Sequence, residues 1–357
     1  MKQRLLSIDI LRGLTIILMI IVNTPGTWNH VAAPLRHSAW NGLTLTDIVF
    51  PCFMFIMGIT TYISLRKFNF SLSATLVLKV VRRSCILFLL GLLLNWMAAG
   101  FPGADEVRVL GVLQRFGICY LVVSLLACTV SRKTMAVIAA VLLVAYSVLL
   151  LTCNGYAYDE TSILSVVDRS VLGGNMMNDG GIDPEGILST IPSIAHVIIG
   201  YLVGAIALSD MPLKDKVLNM AQWGILMLFA GLLADSFLPI NKKVWSASFV
   251  FVTCGLSLLT LVLFAMILDI DNRKMPKTVL LIFGVNPLVC YVLGELICIA
   301  QDQIKIYDVP LKHYFYWTFA GVMGDNSWSS FVAALAVAAI VGSVGWLLYA
   351  KKIYVKI

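Results

Sequence analysis

Ten predominantly apolar runs, at about 13–24, 45–65, 84–100, 109–130, 134–152, 191–208, 217–236, 246–268, 278–299 and 329–350, constrain this chain more than any other feature. A helix needs roughly 20 apolar residues to cross about 30 Å of hydrocarbon, and most of these runs approach that length. Only 13% of the residues are charged, about half of what a soluble domain carries. The runs are continuous rather than alternating, which excludes an outer-membrane barrel. The expected fold is therefore all-α, a polytopic integral membrane protein of about ten transmembrane helices, read as a single transmembrane domain over residues 1–357. The basic N-terminus is followed by no small-residue cleavage site, so it does not read as a signal peptide.

The formal net charge of +7 invites a nucleic-acid reading, but its distribution argues for topology instead. With the N-terminus inside, 18 of the 26 Lys and Arg fall at inside ends and loops, against 5 of the 19 acids. That bias sets both termini in the cytoplasm and makes the lipid bilayer the partner. The eight cysteines lie mostly within apolar runs and indicate neither a disulfide framework nor a metal site.

Polar residues crowd one stretch, residues 4–58, at the ends of its two apolar segments: Asp9, Arg12, Asn23, His37, Asn41 and Asp47. Ionisable groups at membrane depth need a cavity or a partner. Only ten residues separate Arg12 from Asn23, about 15 Å of helix, so one of Asp9, Arg12 and Asn23 must sit below the membrane surface. Asp9 and Arg12 stand three apart on one helix face and can pair. Pro25, Gly26 and Pro34 make residues 24–44 a loop, which also carries Trp40. Thr46-Asp47 is an N-cap candidate for the second span, and Pro51 should kink it. The segment FSLSATLVLKVVRR reads as a short surface helix before the third span. Arg115 lies seven residues into an apolar run and needs a partner inside the bundle. Residues 153–190 form the longest outside loop, with six acids against Arg169. Within it, Asp183-Pro184 predicts a short helix leading into the sixth span, where His196 reads as a core residue. Glu295, late in the ninth span, falls near the outer interface.

Several segments carry a resemblance: RLLSIDILRG, the IVN ending the first span, RHSAWNGLTLTDIVFPCFMFIMG, RVLGVLQRFGICY, IDPEGILSTIPSI, PINKKVWSASFV, GVNPLVCYVLGE and KKIYVKI. In these segments, taken in order along almost the whole chain, it resembles the heparan-α-glucosaminide N-acetyltransferase family and its bacterial members. The resemblance implies acetyl transfer from cytoplasmic acetyl-CoA to the amino group of a glucosamine-type sugar, or a glycan ending in one, across the membrane. It also implies a bacterial inner membrane and a homodimer. His37 falls on the family's catalytic histidine and Asn23 on the asparagine beside it.

The chemistry suits those residues. A histidine titrates near working pH, so His37 can remove the amine proton or carry acetyl as a transient acyl-imidazole. Asn23 or Asn41 can donate to the developing oxyanion, an effect of about 3 kcal/mol in other enzymes. Asp47 can orient His37 or cap its helix, and Trp40 and Glu295 complete the acceptor-side candidates. For the CoA phosphates the basic candidates are Arg4, Arg12, Arg83, Arg115, Lys351 and Lys352. No metal is expected. Two rivals use the same residues: an amino-sugar transporter, and an acyltransferase for another cell-surface glycan.

Overall fold

The computed structural model describes residues 5–100, 106–270 and 277–355; Arg4 lies outside them. The described elements are helical apart from one two-residue hairpin, Lys305–Ile306 paired with Val309–Pro310. In order the helices are α1 (Leu6–Asn23), α2 (Leu45–Arg66), α3 (Ala74–Ala98), α4 (Val112–Thr129), α5 (Arg132–Thr152), α6 (Ile163–Leu172), α7 (Thr190–Ala207), α8 (Leu213–Ala234) and α9 (Ala247–Phe264), which continues as a π-helical stretch, Ala265–Ile270. Then come α10 (Lys277–Val285), α11 (Pro287–Gln303), α12 (Leu311–Met323) and α13 (Ser327–Ala350).

Among the described residues, eight of these helices are long and apolar enough to cross a membrane: α1, α2, α4, α5, α7, α8, α9 and α13. A ninth span is formed if α10 and α11, bent by 86° at Asn286, count as one. The protein is thus a polytopic helical membrane protein, with eight or nine candidate spans among the described residues, against the ten expected. The remaining expected run, 84–100, is the second half of α3. Its first half carries Lys79, Arg82 and Arg83, and the expected surface helix is simply the start of this one 25-residue helix. Ser73 caps it, accepting from Leu76 N–H at 3.2 Å. Pro51 lies inside α2 without ending it.

The chain divides into two compact units. The first holds Met1–His37, Thr44–Phe50 and Leu263–Ile357; the second holds Ser38–Leu43 and Pro51–Val262. In the first unit α1 packs against α10, α11 and α13. Glycines set how close α1 and α10 come: a Cβ on Gly13 would meet Leu280 O at 1.8 Å, and one on Gly284 would meet Asp9 O at 2.0 Å. Small residues at such seams let backbones touch where lipid supplies no hydrophobic drive. In the second unit α3 packs on α4, and α5 on α7. Tyr146, Leu150, Leu164, Ile182 and Val244 form a buried core there, with Trp40 packed against it.

The loop before α7 departs from expectation. No helix starts at Pro184; the segment turns instead, and α7 begins at Thr190. Asp183, just before the expected helix start, is fully buried and bonded to Arg108 at 2.6 Å and to the N–H groups of Met177 and Glu185 at 2.9 Å. A charge-assisted contact to arginine holds this carboxylate in the turn instead.

Candidate active site

Two separate polar pairs in the first unit each join two of the residues singled out from sequence. His37 Nδ1 lies 2.7 Å from Asp47 Oδ1. Asp47 stands in the first turn of α2 and is 1% exposed, whereas the His37 side chain is 49% exposed. The other carboxylate oxygen, Oδ2, accepts from Thr44 N–H at 3.1 Å and lies 2.9 Å from Thr44 Oγ1, which in turn bonds Arg36 O at 2.7 Å. The loop that presents the imidazole is thereby tied to the carboxylate on both sides of His37 in the chain. A carboxylate at Nδ1 selects the tautomer with hydrogen on that nitrogen and assigns acid–base work to Nε2.

The second pair joins the end of α1 to α11. Asn23 Nδ2 donates to Glu295 Oε1 at 2.9 Å, and Cys298, one turn further along α11, lies with its thiol 3.7 Å from Asn23 O. An asparagine amide carries two N–H groups; this contact uses one and fixes the plane of the other. Asn23 and Glu295 are 272 positions apart in the chain.

Of the acceptor-side candidates, Trp40 and Asn41 belong to the second unit. Trp40 stacks on Tyr158 with centroids 4.5 Å apart and donates its indole N–H to Tyr156 O at 3.2 Å. Lys243 Nζ sits 4.4 Å over Tyr158 and 3.0 Å from Asp179. Asn41 Oδ1 accepts from Asn241 Nδ2 at 3.1 Å. Asn241 is not among the residues the sequence singles out, yet it is fully buried and organises a tight turn. It accepts from Val244 N–H at 3.1 Å and is bonded by Ser246 at both backbone and side chain. The signal that could have found it is an asparagine within a Pro-Ile-Asn-Lys-Lys turn.

Of the basic candidates, Arg12, Lys351 and Lys352 belong to the first unit and Arg83 and Arg115 to the second. Arg12 Nη1 lies 3.4 Å from Asp9 Oδ1, as the three-residue spacing suggests, and 3.2 Å from Gly284 O. Arg83 covers the ring of Tyr120 at 4.5 Å. Lys351 and Lys352 are exposed after α13. Arg115 is 1% exposed, stacks 5.1 Å over Trp245, and donates from Nη2 to Pro184 O, Gly186 O and Ser189 Oγ. The loop before α7 is the internal partner that a charge in an apolar run required.

Beside it lies a dense buried ion network. Arg108 bonds both Asp183 and Glu185. Burial works to lower the Arg108 pKa, but Glu185 and then Asp183 more than reverse it. Burial likewise opposes ionisation of Glu185, yet Arg108, followed by Arg115 and Lys242, holds it below the usual range. Asp168 differs. Its Oδ1 accepts from Ile187 N–H at 2.8 Å, while Oδ2 is packed against Gly186, where a Cβ would come within 1.9 Å. Burial first, then Asp183, push its pKa up to about 6, against the pull of Ile187 N–H and Arg115. The folded value lies above the unfolded one, so this group's stabilising contribution is full below pH about 4 and is lost as pH rises through about 6. Asp168→Asn should therefore raise the apparent melting temperature at pH 7.5, with the gain vanishing by pH 4, in a thermal scan of the detergent-solubilised protein.

Comparison with known proteins adds a lineage. A family model described as "Heparan-alpha-glucosaminide N-acetyltransferase, catalytic" matches residues 4–240. The human protein named heparan-alpha-glucosaminide N-acetyltransferase is 26% identical to the chain, over 100% of the chain and 60% of its own length. The mouse protein of the same name is also 26% identical, over 99% of the chain and 61% of its own. The chain thus spans about three-fifths of the length of these relatives.

Proposed function

Since the chain belongs to the heparan-alpha-glucosaminide N-acetyltransferase catalytic family, we propose that it moves acetyl from acetyl-CoA to the amine of a glucosamine-type sugar across the membrane. The contact that carries this reading is His37 Nδ1 to the buried Asp47, because it gives an accessible imidazole one assigned nitrogen for acid–base work. Family membership supports the donor, and the polar groups support the chemistry.

In this reading the sugar amine attacks the thioester carbonyl while its proton passes to His37 Nε2. Asn23, its amide plane set by Glu295, donates its second N–H to the oxyanion as the C–N bond forms. Collapse breaks the C–S bond, and the CoA thiolate recovers the proton from the imidazolium. Asp47 stabilises that imidazolium and prevents the ring from turning. Within the second unit, Trp40, stacked on Tyr158, and Asn41, whose carbonyl is held by Asn241, remain the acceptor candidates. The α1 helix runs from Arg12, near one end, to Asn23 at the other, so an extended pantetheine arm alongside it would need to carry only the acetyl group outward. The homodimer and the bacterial inner membrane belong to the same proposal.

The test is purified protein with labelled acetyl-CoA and glucosamine. Acetylated sugar and free CoA in equal amounts are expected, whereas sugar uptake into vesicles without CoA release would favour the transporter. Longer glucosamine-ended glycans, run in parallel, separate the rival glycan acyltransferase. Asp47→Asn sharpens the site assignment. Asparagine can donate to Nδ1, which puts the ring hydrogen on Nε2 and removes the base. A fall in kcat of at least about a hundredfold is expected, as buried carboxylate partners of catalytic histidines generally behave, with little change in melting temperature.

A further inference from the structure

The helix α12 is too short to cross a bilayer. Its 13 residues, Leu311–Met323, make about 20 Å of helix against about 30 Å of hydrocarbon. It is tied to its neighbours in the first unit. Leu311 N–H bonds Ile304 O at 2.7 Å, Tyr314 donates its hydroxyl to Ile306 O at 3.2 Å, and the helix packs against α11 and α13. The side chains divide by face. Lys312, Tyr316 and Ala320, four apart, turn into the unit. Tyr314, Trp317 and Val322 are exposed, Val322 at 86%. The hairpin before α12 extends that surface. Both residues of its turn, Tyr307 and Asp308, have positive φ, as two-residue hairpin loops favour. Tyr307 thereby stands at the tip, 94% exposed, with Ile304 and Ile306 also exposed.

The spanning helix α13 marks where the membrane boundary lies. Trp328, Leu335 and Trp346 are exposed and stand at intervals of seven and eleven residues, so they share one line along the helix. The two tryptophans are 18 positions apart, about 27 Å of helix, close to the hydrocarbon thickness. Tryptophan gathers at both membrane interfaces, so Trp328 marks one boundary and Trp346 the other. α12 ends only five residues before Trp328. Gly324, at φ +84°, and the Asn326 cap turn the chain directly from one helix into the next. The exposed face of α12 is therefore continuous with a lipid-facing line and lies at its boundary end. A helix standing out into water would leave Tyr314, Trp317 and Val322 solvated, whereas one lying along the boundary places these rings and the valine where an interfacial helix buries its apolar face.

We propose that the exposed face of α12, with the tip of its hairpin, is a lipid-contact surface seated in the headgroup layer at the Trp328 end, its partner being the phospholipids of that leaflet. The exposed charges of the hairpin, Lys305 and Asp308, balance, so burial of rings is the attraction and an anionic headgroup is not required. The opposite face of α12 carries a different load. Lys312 Nζ lies 5.3 Å over the Trp28 ring, and a Cβ on Gly26 would stand 2.8 Å from the Tyr316 ring. Tyr316 donates to Asp325, which pairs with His30 at 3.2 Å. Residues 26–30 belong to the segment between Asn23 and His37, so a lipid-seated α12 holds that segment on its far side, toward water. This surface is independent of the acetyl-transfer reading.

The experiment places the purified full chain in nanodiscs of phosphatidylcholine brominated at a shallow or a deep acyl position. The fluorescence lost in Trp317→Phe and in Trp28→Phe reports each ring. Because an interfacial helix sits only about 5–10 Å into the headgroup and acyl boundary, the Trp317 share should be quenched at least about twofold more by shallow bromine than by deep. It should also resist acrylamide in the water phase. The Trp28 share, from a ring 59% exposed on the other side, should be quenched by acrylamide and spared by both lipids. A photoreactive diazirine residue in place of Val322 identifies the neighbour directly. It should capture phospholipid, as the same probe should in place of Leu233, exposed on the spanning helix α8. A Trp317 share quenched only from water overturns the proposal, as does capture at position 322 of a second copy of the chain, or of no lipid. Lipid quenching of Trp28 equal to that of Trp317 overturns the two-faced arrangement. Should Trp317→Phe not fold, the probe at position 322 decides.

Discussion

Replacing His37 with alanine is expected to lower turnover by at least about a thousandfold while leaving the protein folded. General base catalysis contributes roughly a hundredfold to ten-thousandfold by itself, and the histidine also orders the reactants around its ring. Folding should survive because the imidazole is half exposed: water enters the space it vacates, and Asp47 keeps its contacts to Thr44 N–H and Oγ1. The measurement is acetyl transfer to glucosamine, with a thermal scan as the folding control. Free imidazole offered to His37→Ala should restore part of the rate, and its efficiency should follow the fraction of neutral imidazole as pH is varied. Full turnover in His37→Ala would remove this residue from the chemistry and with it the proposed role of Asp47.

The parts of this arrangement differ in how far they can be read from sequence, and the difference follows chain distance. Apolar run length is enough for most of the spans. A three-residue helical spacing is enough for Asp9 with Arg12, and ten residues linking a loop to a helix start make Asp47 a visible partner for His37. Asn23 with Glu295 is different. Each residue stands out in its own apolar run, but nothing periodic connects positions 272 apart. The same holds for Arg115, whose need for a partner is legible while the partner's identity, 69–74 residues on, is not. The bend between α10 and α11 leaves a faint mark, the Asn286-Pro287 dipeptide, since a residue before proline is pushed out of the helical region. An apolar run continuing on both sides hides that mark. Asp183-Pro184 reads as a helix start because a residue before a helix and a buried ion partner can be the same type, and only the arrival of Arg108 from 75 residues away decides between them.

The second large effect concerns stability. Gly284→Ala is expected to destabilise the first unit by about 3 kcal/mol or more, at or above the upper end of ordinary overpacking. The added methyl would stand 2.0 Å from Asp9 O and 3.3 Å from Gly13 N, and both are backbone atoms of α1 that cannot swing aside. Relief requires α1 and α10 to part by roughly an ångström, which would bring the methyl only to the tight end of ordinary contact. Separation on that scale stretches the Arg12 to Gly284 O bond and weakens the α1 anchor of the bend at Asn286. Gly321→Ala is the control: that glycine lies in α12, and a methyl group there would meet nothing within 4 Å, while alanine favours a helix by up to about 1 kcal/mol. Melting followed by fluorescence-detected size exclusion should therefore move in opposite directions for the two variants. If Gly284→Ala melts with the parent, the close approach of α1 and α10 is wrong, and the anchoring of Asn286 that depends on the same corner loses its support.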